Sequence, residues 1–166
     1  MVTTPTLEQL AAWGPQQVFK HIASHLLTQG ERCTKGHYPE GQYRNELGQA
    51  CAVGCVIPEH LYRSSFEGQG IHGLVLRLAC LPKVEYVTLA EFVTRHASLL
   101  IQLMDLHDRT PPACWPEALR DIGAAYGLDT QVVDLFSVEG EPRADQASHV
   151  MPERLKPADG ASHVVS

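Results

Sequence analysis

The alternation of apolar and polar positions along this chain is helical over most of its length. Thr6-Leu7-Glu8-Gln9 has the form of a capping box, in which the Thr6 hydroxyl accepts from the Gln9 amide and the Gln9 side chain reaches back to Thr6. It predicts a short helix running to Trp13. Gly14-Pro15 interrupts it, and Pro15 suits the first position of a second helix because the N–H it lacks would be unpaired there anyway. Val18, Phe19, Ile22, Ala23, Leu26 and Leu27 then recur with a period near 3.6 on one face, and Gly30 ends the run.

From residue 31 to residue 49 the periodicity gives way to Gly, Tyr, Pro, Asn and charged residues. Gln42-Tyr43-Arg44 and Gln49-Ala50-Cys51, flanking the turn-like Asn45-Glu46-Leu47-Gly48, predict a short β-hairpin. Two strands are marginal alone in water, so this ribbon has to lie on the helices. Residues 51–57 are small and apolar, residues 58–62 predict a helical turn, and residues 64–73, with three glycines, a loop. Leu74 to Leu81 predicts a short buried helix closed by Pro82. Thr88-Leu89-Ala90-Glu91 is a second capping box and predicts the start of the longest helix, reaching about His107. After a proline-containing loop a helix starts at Trp115 or Pro116 and stops at Gly127, and Asp129 caps a last one through Phe136.

The expected fold is mainly α: a small helical domain over residues 1–136 with a short β-hairpin packed on it, followed by a flexible C-terminal tail over residues 137–166. The tail assignment rests on composition. Glu, Pro, Asp, Ser, Gly and Ala dominate there, and such a stretch buries too little apolar surface to offset its ordering entropy. Ala147-Ser148-His149-Val150 recurs as Ala161-Ser162-His163-Val164, an echo too short for a repeat architecture.

Composition narrows the function classes. With 166 residues, 44% of them hydrophobic and 19% charged, the chain can build one globular core. No apolar run approaches the roughly 18 residues of a membrane span; the longest, over residues 73–81, contains Arg77. The first residues lack the basic start and apolar core of a secretory signal, so a cytoplasmic location is expected. The formal net charge of −6, with Lys and Arg scattered singly, disfavours direct nucleic-acid binding and suits docking onto a basic surface of another protein. Five cysteines, an odd number, argue against a disulfide framework and for free buried thiols.

Several constellations carry possible chemistry. Along the long helix, steps of 100° place Leu89, Val93, His96, Leu100, Leu103, Met104 and His107 on one face, so two imidazoles fall within an apolar stripe. Each needs a partner there. His107 with Asp108 is a candidate base or pocket pair, the alternative being a hydrogen-bonded core histidine at a helix C-terminus. Cys51, ahead of a glycine-containing segment, is the candidate nucleophile, with His107 or His60 as its base. His21 and His25 have the four-residue spacing that can clasp a metal, but spacing names no further ligand. Cys33, His37, Cys51 and Cys55 are of zinc-ligating type without the tight knuckle of structural zinc sites. No metal site and no cofactor is expected. Serine-hydrolase, P-loop and dinucleotide motifs are absent from the sequence.

Tyr43-Arg44-Asn45-Glu46-Leu47-Gly48, then Cys51-Ala52-Val53-Gly54-Cys55-Val56-Ile57-Pro58-Glu59, then Tyr62 and Glu67-Gly68 form a pattern. It resembles one in small uncharacterised phage and prophage proteins, which pair a Tyr-Arg and glycine-containing turn with Cys-Ala-(Val/Ile)-Gly-x-(Leu/Val/Ile)-Ile-Pro-(Asp/Glu). Leu103-Met104-Asp105-Leu106-His107-Asp108 and Trp115 are similar to their second half. The likeness covers about residues 10–130. The resemblance implies a phage source and carries no activity over; phage accessory proteins of this size commonly bind a host protein, so the expected function is an accessory protein in the host cytoplasm that acts as a takeover factor or counter-defence inhibitor, without catalysis. A partner with a basic nucleic-acid-binding surface would suit the negative charge. Tyr43, Arg44, Tyr62 and Trp115, with Tyr38 and Phe66, are the candidate binding residues. Two other functions compete. One is a small hydrolase or transferase using His107, Asp108 and Cys51. The other is a DNA-binding regulator, for which the helix from Trp115 to Tyr126 offers only Arg120 outward.

Overall fold

The computed structural model of the chain describes residues 3–35 and 38–137. Seven α-helices make up most of this: α1 (Leu7–Ala12), α2 (Pro15–Gln29), α3 (Ile71–Ala79), α4 (Val84–Arg95), α5 (Ala97–Arg109), α6 (Trp115–Ala125) and α7 (Gln131–Ser137). Two short strands, β1 (Thr34–Lys35) and β2 (Tyr38–Gly41), pair antiparallel, and 3-10 turns occupy Gly54–Val56, Glu59–Leu61, Ser64–Phe66 and Pro112–Cys114. Among the described residues no helix is long and apolar enough to cross a membrane. The expected tail, with its four-residue echo, lies outside the described residues apart from Ser137.

The local signals at the two ends of the domain act as the chemistry requires. At Thr6 both bonds of the capping box form, Gln9 N to Thr6 Oγ1 at 3.2 Å and Thr6 N to Gln9 Oε1 at 2.8 Å. Pro15 opens α2, and Gly30 closes it in the left-handed region, with φ of 66°. The amide of Gln131 donates to Asp129 Oδ1 at 2.8 Å where α7 begins. Val18, Phe19, Ile22, Ala23 and Leu26 of α2 are fully buried and pack against α5, α6 and α7. A second group forms where α4 packs on α1 and α3, burying Leu10, Leu74, Leu78, Tyr86, Leu89, Phe92 and Val93.

Three expectations need correction. The short buried helix expected from Leu74 to Leu81 is α3, which starts at Ile71 within the expected loop, ends at Ala79 and leaves Leu76 in solvent. The single long helix from Thr88 to about His107 is two helices, α4 and α5, broken at His96 with φ of −107° and ψ of 12°. Thr88 does not cap; it sits inside α4, which starts a turn earlier because Tyr86 extends the buried stripe of Leu89 and Val93. The break is held from outside. His96 Nε2–H donates to the carbonyl of Trp13, 3.2 Å away, so the ring is tied to the end of α1 rather than left unpartnered in the core.

The β-hairpin expected over residues 42–51 does not form. In its place a single antiparallel bridge joins Arg44 to Ala50 around a tight turn. Main-chain bonds cross at the bridge, from the Asn45 amide to the Gln49 carbonyl and from the Cys51 amide to the Tyr43 carbonyl, and side chains hold the remaining amides. Asn45 Oδ1 accepts from the amides of Leu47 and Gln49. The Glu67 carboxylate accepts from the amides of Tyr43 and Arg44, at 2.9 and 3.1 Å. The Ala50 amide donates to Gln29 Oε1 of α2. With its edges capped this way, the segment has few groups left to exchange across a ribbon.

Candidate functional site

The loop from residue 42 to residue 70 is drawn together by Arg44 and Glu67. Arg44 donates through Nε and Nη2 to the Gly54 carbonyl, at 3.2 and 3.1 Å, through Nη2 to Ile57 and through Nη1 to Glu59. Its guanidinium lies 4.9 Å from the centre of the Tyr62 ring. The Tyr62 hydroxyl donates to Glu67, which already holds the Tyr43 and Arg44 amides, and the Tyr43 hydroxyl donates to the Gln69 carbonyl at 2.7 Å. A charged fork suits this task, because five rigid donors can satisfy several main-chain carbonyls of a non-helical segment at once. Burial, followed by the bond to Glu67, pushes the Tyr62 phenol up.

His107 is fully buried beneath this loop, with both ring nitrogens committed. Its Nε2 accepts from the Cys33 amide at 2.9 Å, which places the ring proton on Nδ1, and Nδ1–H donates to Asp108 Oδ1 at 2.7 Å. Trp115 stacks on the ring with centroids 5.7 Å apart. Asp108, in the last turn of α5, keeps its side chain 29% exposed. It lines a cavity of about 250 Å³ together with Gln42, Tyr43, Cys51, Met104 and the Gly68-Gln69-Gly70 stretch.

The structure therefore brings the three proposed catalytic residues into one neighbourhood, in roles unlike a nucleophile and its base. His107 joins Asp108, but its second nitrogen is taken by a main-chain amide and cannot receive a proton without breaking that bond. Cys51 shares the cavity with Asp108 and is 2% exposed; burial raises its thiol to about 12, so the thiolate that would attack is disfavoured. Cys33 is likewise raised to about 12 by burial, and Cys55 is pushed well up. His60, the other candidate base, lies in the Glu59–Leu61 turn.

The candidate binding residues divide differently from expectation. Tyr43 is 3% exposed and Trp115 fully buried, with its indole N–H donating to the Thr110 carbonyl, so neither is a surface anchor. Phe66 is also buried, because it packs edge-on between Tyr62 and Tyr86. Tyr62 and Arg44 are partly exposed but serve the loop network. The Tyr38 side chain lies outside the described residues, as does His37. Arg120 is paired with Asp134 of α7, at 2.9 Å.

Among the described residues no group of three or more His, Cys, Asp or Glu side chains is arranged to hold a metal ion. His21 and His25 line a second cavity of about 320 Å³ beside Arg44 and Glu59, where His25 Nε2–H donates to the Ala50 carbonyl.

Sequence reasoning missed the surface where large apolar groups stand in solvent. Leu76 on α3 and Val84 and Val87 on α4 are 70%, 72% and 48% exposed. Val84, Val87, Glu91 and Thr94 follow one another at helical spacing, and a groove of about 460 Å³ lies along Val87, Ala90, Glu91 and Thr94, reaching Ala79 of α3 and Arg95. The signal was present: Val84 and Val87 fall outside the buried stripe of Tyr86, Leu89, Phe92 and Val93, so one helix carries apolar side chains on two faces. Comparisons with protein-family models, with curated proteins and with solved structures give no match to this chain.

Proposed function

We propose that this chain is a phage-type accessory protein that acts in the host cytoplasm by binding a host protein, without catalysis of its own. The observation that carries this reading is the outward apolar face of α3 and α4. Scattered single apolar residues on a surface need no explanation, but here Ala79 of α3 and Val87 and Ala90 of α4 line one groove on two helices packed on each other, and the same two helices expose Leu76 and Val84. Of the groups that would do chemistry, His107 and Cys51 are instead buried and hydrogen-bonded. The resemblance of the 43–68 segment to phage proteins supports the source of the protein, and its net charge of −6 favours a partner with a basic surface.

The test is affinity capture from host lysate by the intact chain and by a Leu76→Asp, Val87→Asp double variant. Both positions are exposed, so the variant should melt as the parent does. It should lose a partner that the parent retains. Retention of the same partner by a folded double variant overturns this surface. Sedimentation showing a dimer that the variant dissolves overturns the host-protein reading, because a second copy would then be what covers the groove.

A further inference from the structure

We propose that the cavity around Asp108 is a receptor for one basic side chain of the arginine type, presented by the protein partner. The source of that side chain rests on the binding function proposed above. The chemistry of the cavity stands on its own geometry.

Among the described residues Asp108 is the charged group lining this cavity, and no basic side chain lines it. Its Oδ1 is spent on His107, while Oδ2 has no hydrogen-bond partner among the described residues. The carboxyl is held in place from behind. His107 is clamped by the Cys33 amide on one side and by Trp115 stacked on its ring, so its Nδ1–H fixes Asp108 Oδ1 at little entropic cost on binding. Of the acidic groups in the loop, Glu67 is consumed by two amides and a phenol and Glu59 is paired with Arg44.

The position on the helix adds to this. Asp108 lies in the last turn of α5, whose C-terminal carbonyls carry partial negative charge, and that end of a helix favours a cation. Beyond the burial that dominates, the negative charge of Asp108 also contributes to raising Cys33, Cys51 and Tyr43, so its field reaches across the cavity wall. Shape then selects the ligand. Met104 and the ring of Tyr43 offer apolar cover for an aliphatic stem, while Asp108, the Gln42 amide and the exposed Gly68 backbone offer acceptors to a planar, five-donor head.

The purified chain, with the Met104 methyl carbon-13 labelled, can be titrated with N-acetyl-arginine methylamide, its citrulline counterpart and spermidine. The citrulline compound has the same shape without the charge. A saturable shift of Met104 with the arginine probe is expected, with the citrulline probe at least about tenfold weaker. Asp108→Asn keeps an oxygen for His107 Nδ1–H and should abolish the shift while the melting temperature is retained. Met104→Lys should also abolish binding, followed through the Gly68 and Gly70 amides, by placing a tethered ammonium four residues before Asp108.

Equal shifts with citrulline, or an unaltered arginine shift in folded Asp108→Asn, overturn the proposal. Tighter binding of spermidine than of the arginine probe overturns the side-chain source in favour of a free polyamine. The cavity that the titration reads is lined by neither Leu76 nor Val87. A silent probe with a partner still lost from the Leu76→Asp, Val87→Asp variant sinks the receptor alone, and a saturable probe with the partner retained sinks the α3–α4 surface alone.

Discussion

Gly54 and Glu67 show why the residues of the 43–68 pattern stand where they do. The main chain at residue 54 passes so close to residue 43 that a Cβ on Gly54 would lie 1.8 Å from the Tyr43 carbonyl oxygen. That oxygen is also the acceptor for the Cys51 amide, so it cannot step aside without losing a bond. Only glycine fits there. Arg44 then reaches over the Gly54 carbonyl, and Glu67 holds the Tyr43 and Arg44 amides from the other side. The pattern Tyr-Arg, Cys-Ala-Val-Gly, Pro-Glu, Tyr and Glu-Gly is thus one knot of backbone contacts. Gly54→Ala is expected to cost more than about 3 kcal/mol, or to prevent folding outright, as read by urea denaturation. A variant as stable as the parent would show that the close approach is not required. The residue types were visible in the sequence, but their common purpose was not, because partners 10 to 24 positions apart meet only after the loop closes.

At the scale of elements, the break at His96 is the informative departure from the pattern. Nothing in the sequence from 88 to 107 stops a helix: there is no proline or glycine, and the apolar spacing runs straight through. The bond from His96 to the Trp13 carbonyl and the packing of α1 on α4 supply the stop from elsewhere in the chain. His96 is 4% exposed, so His96→Ala leaves a buried carbonyl without its donor and a space where the ring lay. A loss of about 2–3 kcal/mol is expected in chemical denaturation, with helical content kept or slightly raised because alanine favours a continuous helix. An unchanged denaturation midpoint would mean that helix packing alone sets the break. The hairpin fails for a related reason. Alternation and a turn signal are local, but whether the edges pair with each other or with Glu67 and Gln29 is decided by what packs beside them.

Across the whole molecule, histidine burial couples folding to pH. His21, His25 and His96 are all lowered from the ordinary value of 6.5, in each case chiefly because burial disfavours the charged ring. Backbone carbonyls oppose the shift at each site without reversing it. A depressed pKa means that the unfolded chain binds more protons, so the stabilisation is complete above about 6.5 and is lost as pH falls through the lower folded values. Thermal melts at constant ionic strength should therefore show a melting temperature that falls steadily from pH 7 to pH 5. A profile flat over that range would contradict the burial of these rings. Because the three lie on α2 and at the α4–α5 junction, acid should loosen the two halves of the core together.

The order of residues alone settled the helical class, the starts and stops marked by Thr6, Pro15, Gly30, Gly127 and Asp129, and the buried face of α2. These depend on contacts within a few positions, and a turn of helix has no other way to satisfy its end amides or hide its apolar side. Tertiary structure alone decided the rest: that His107 is a clamp for Asp108, that Tyr43 and Trp115 are interior, and that α3 and α4 carry an uncovered apolar face. Whether an imidazole, a thiol or a ring meets solvent depends on groups brought together from distant parts of the chain, and no local spacing encodes that meeting.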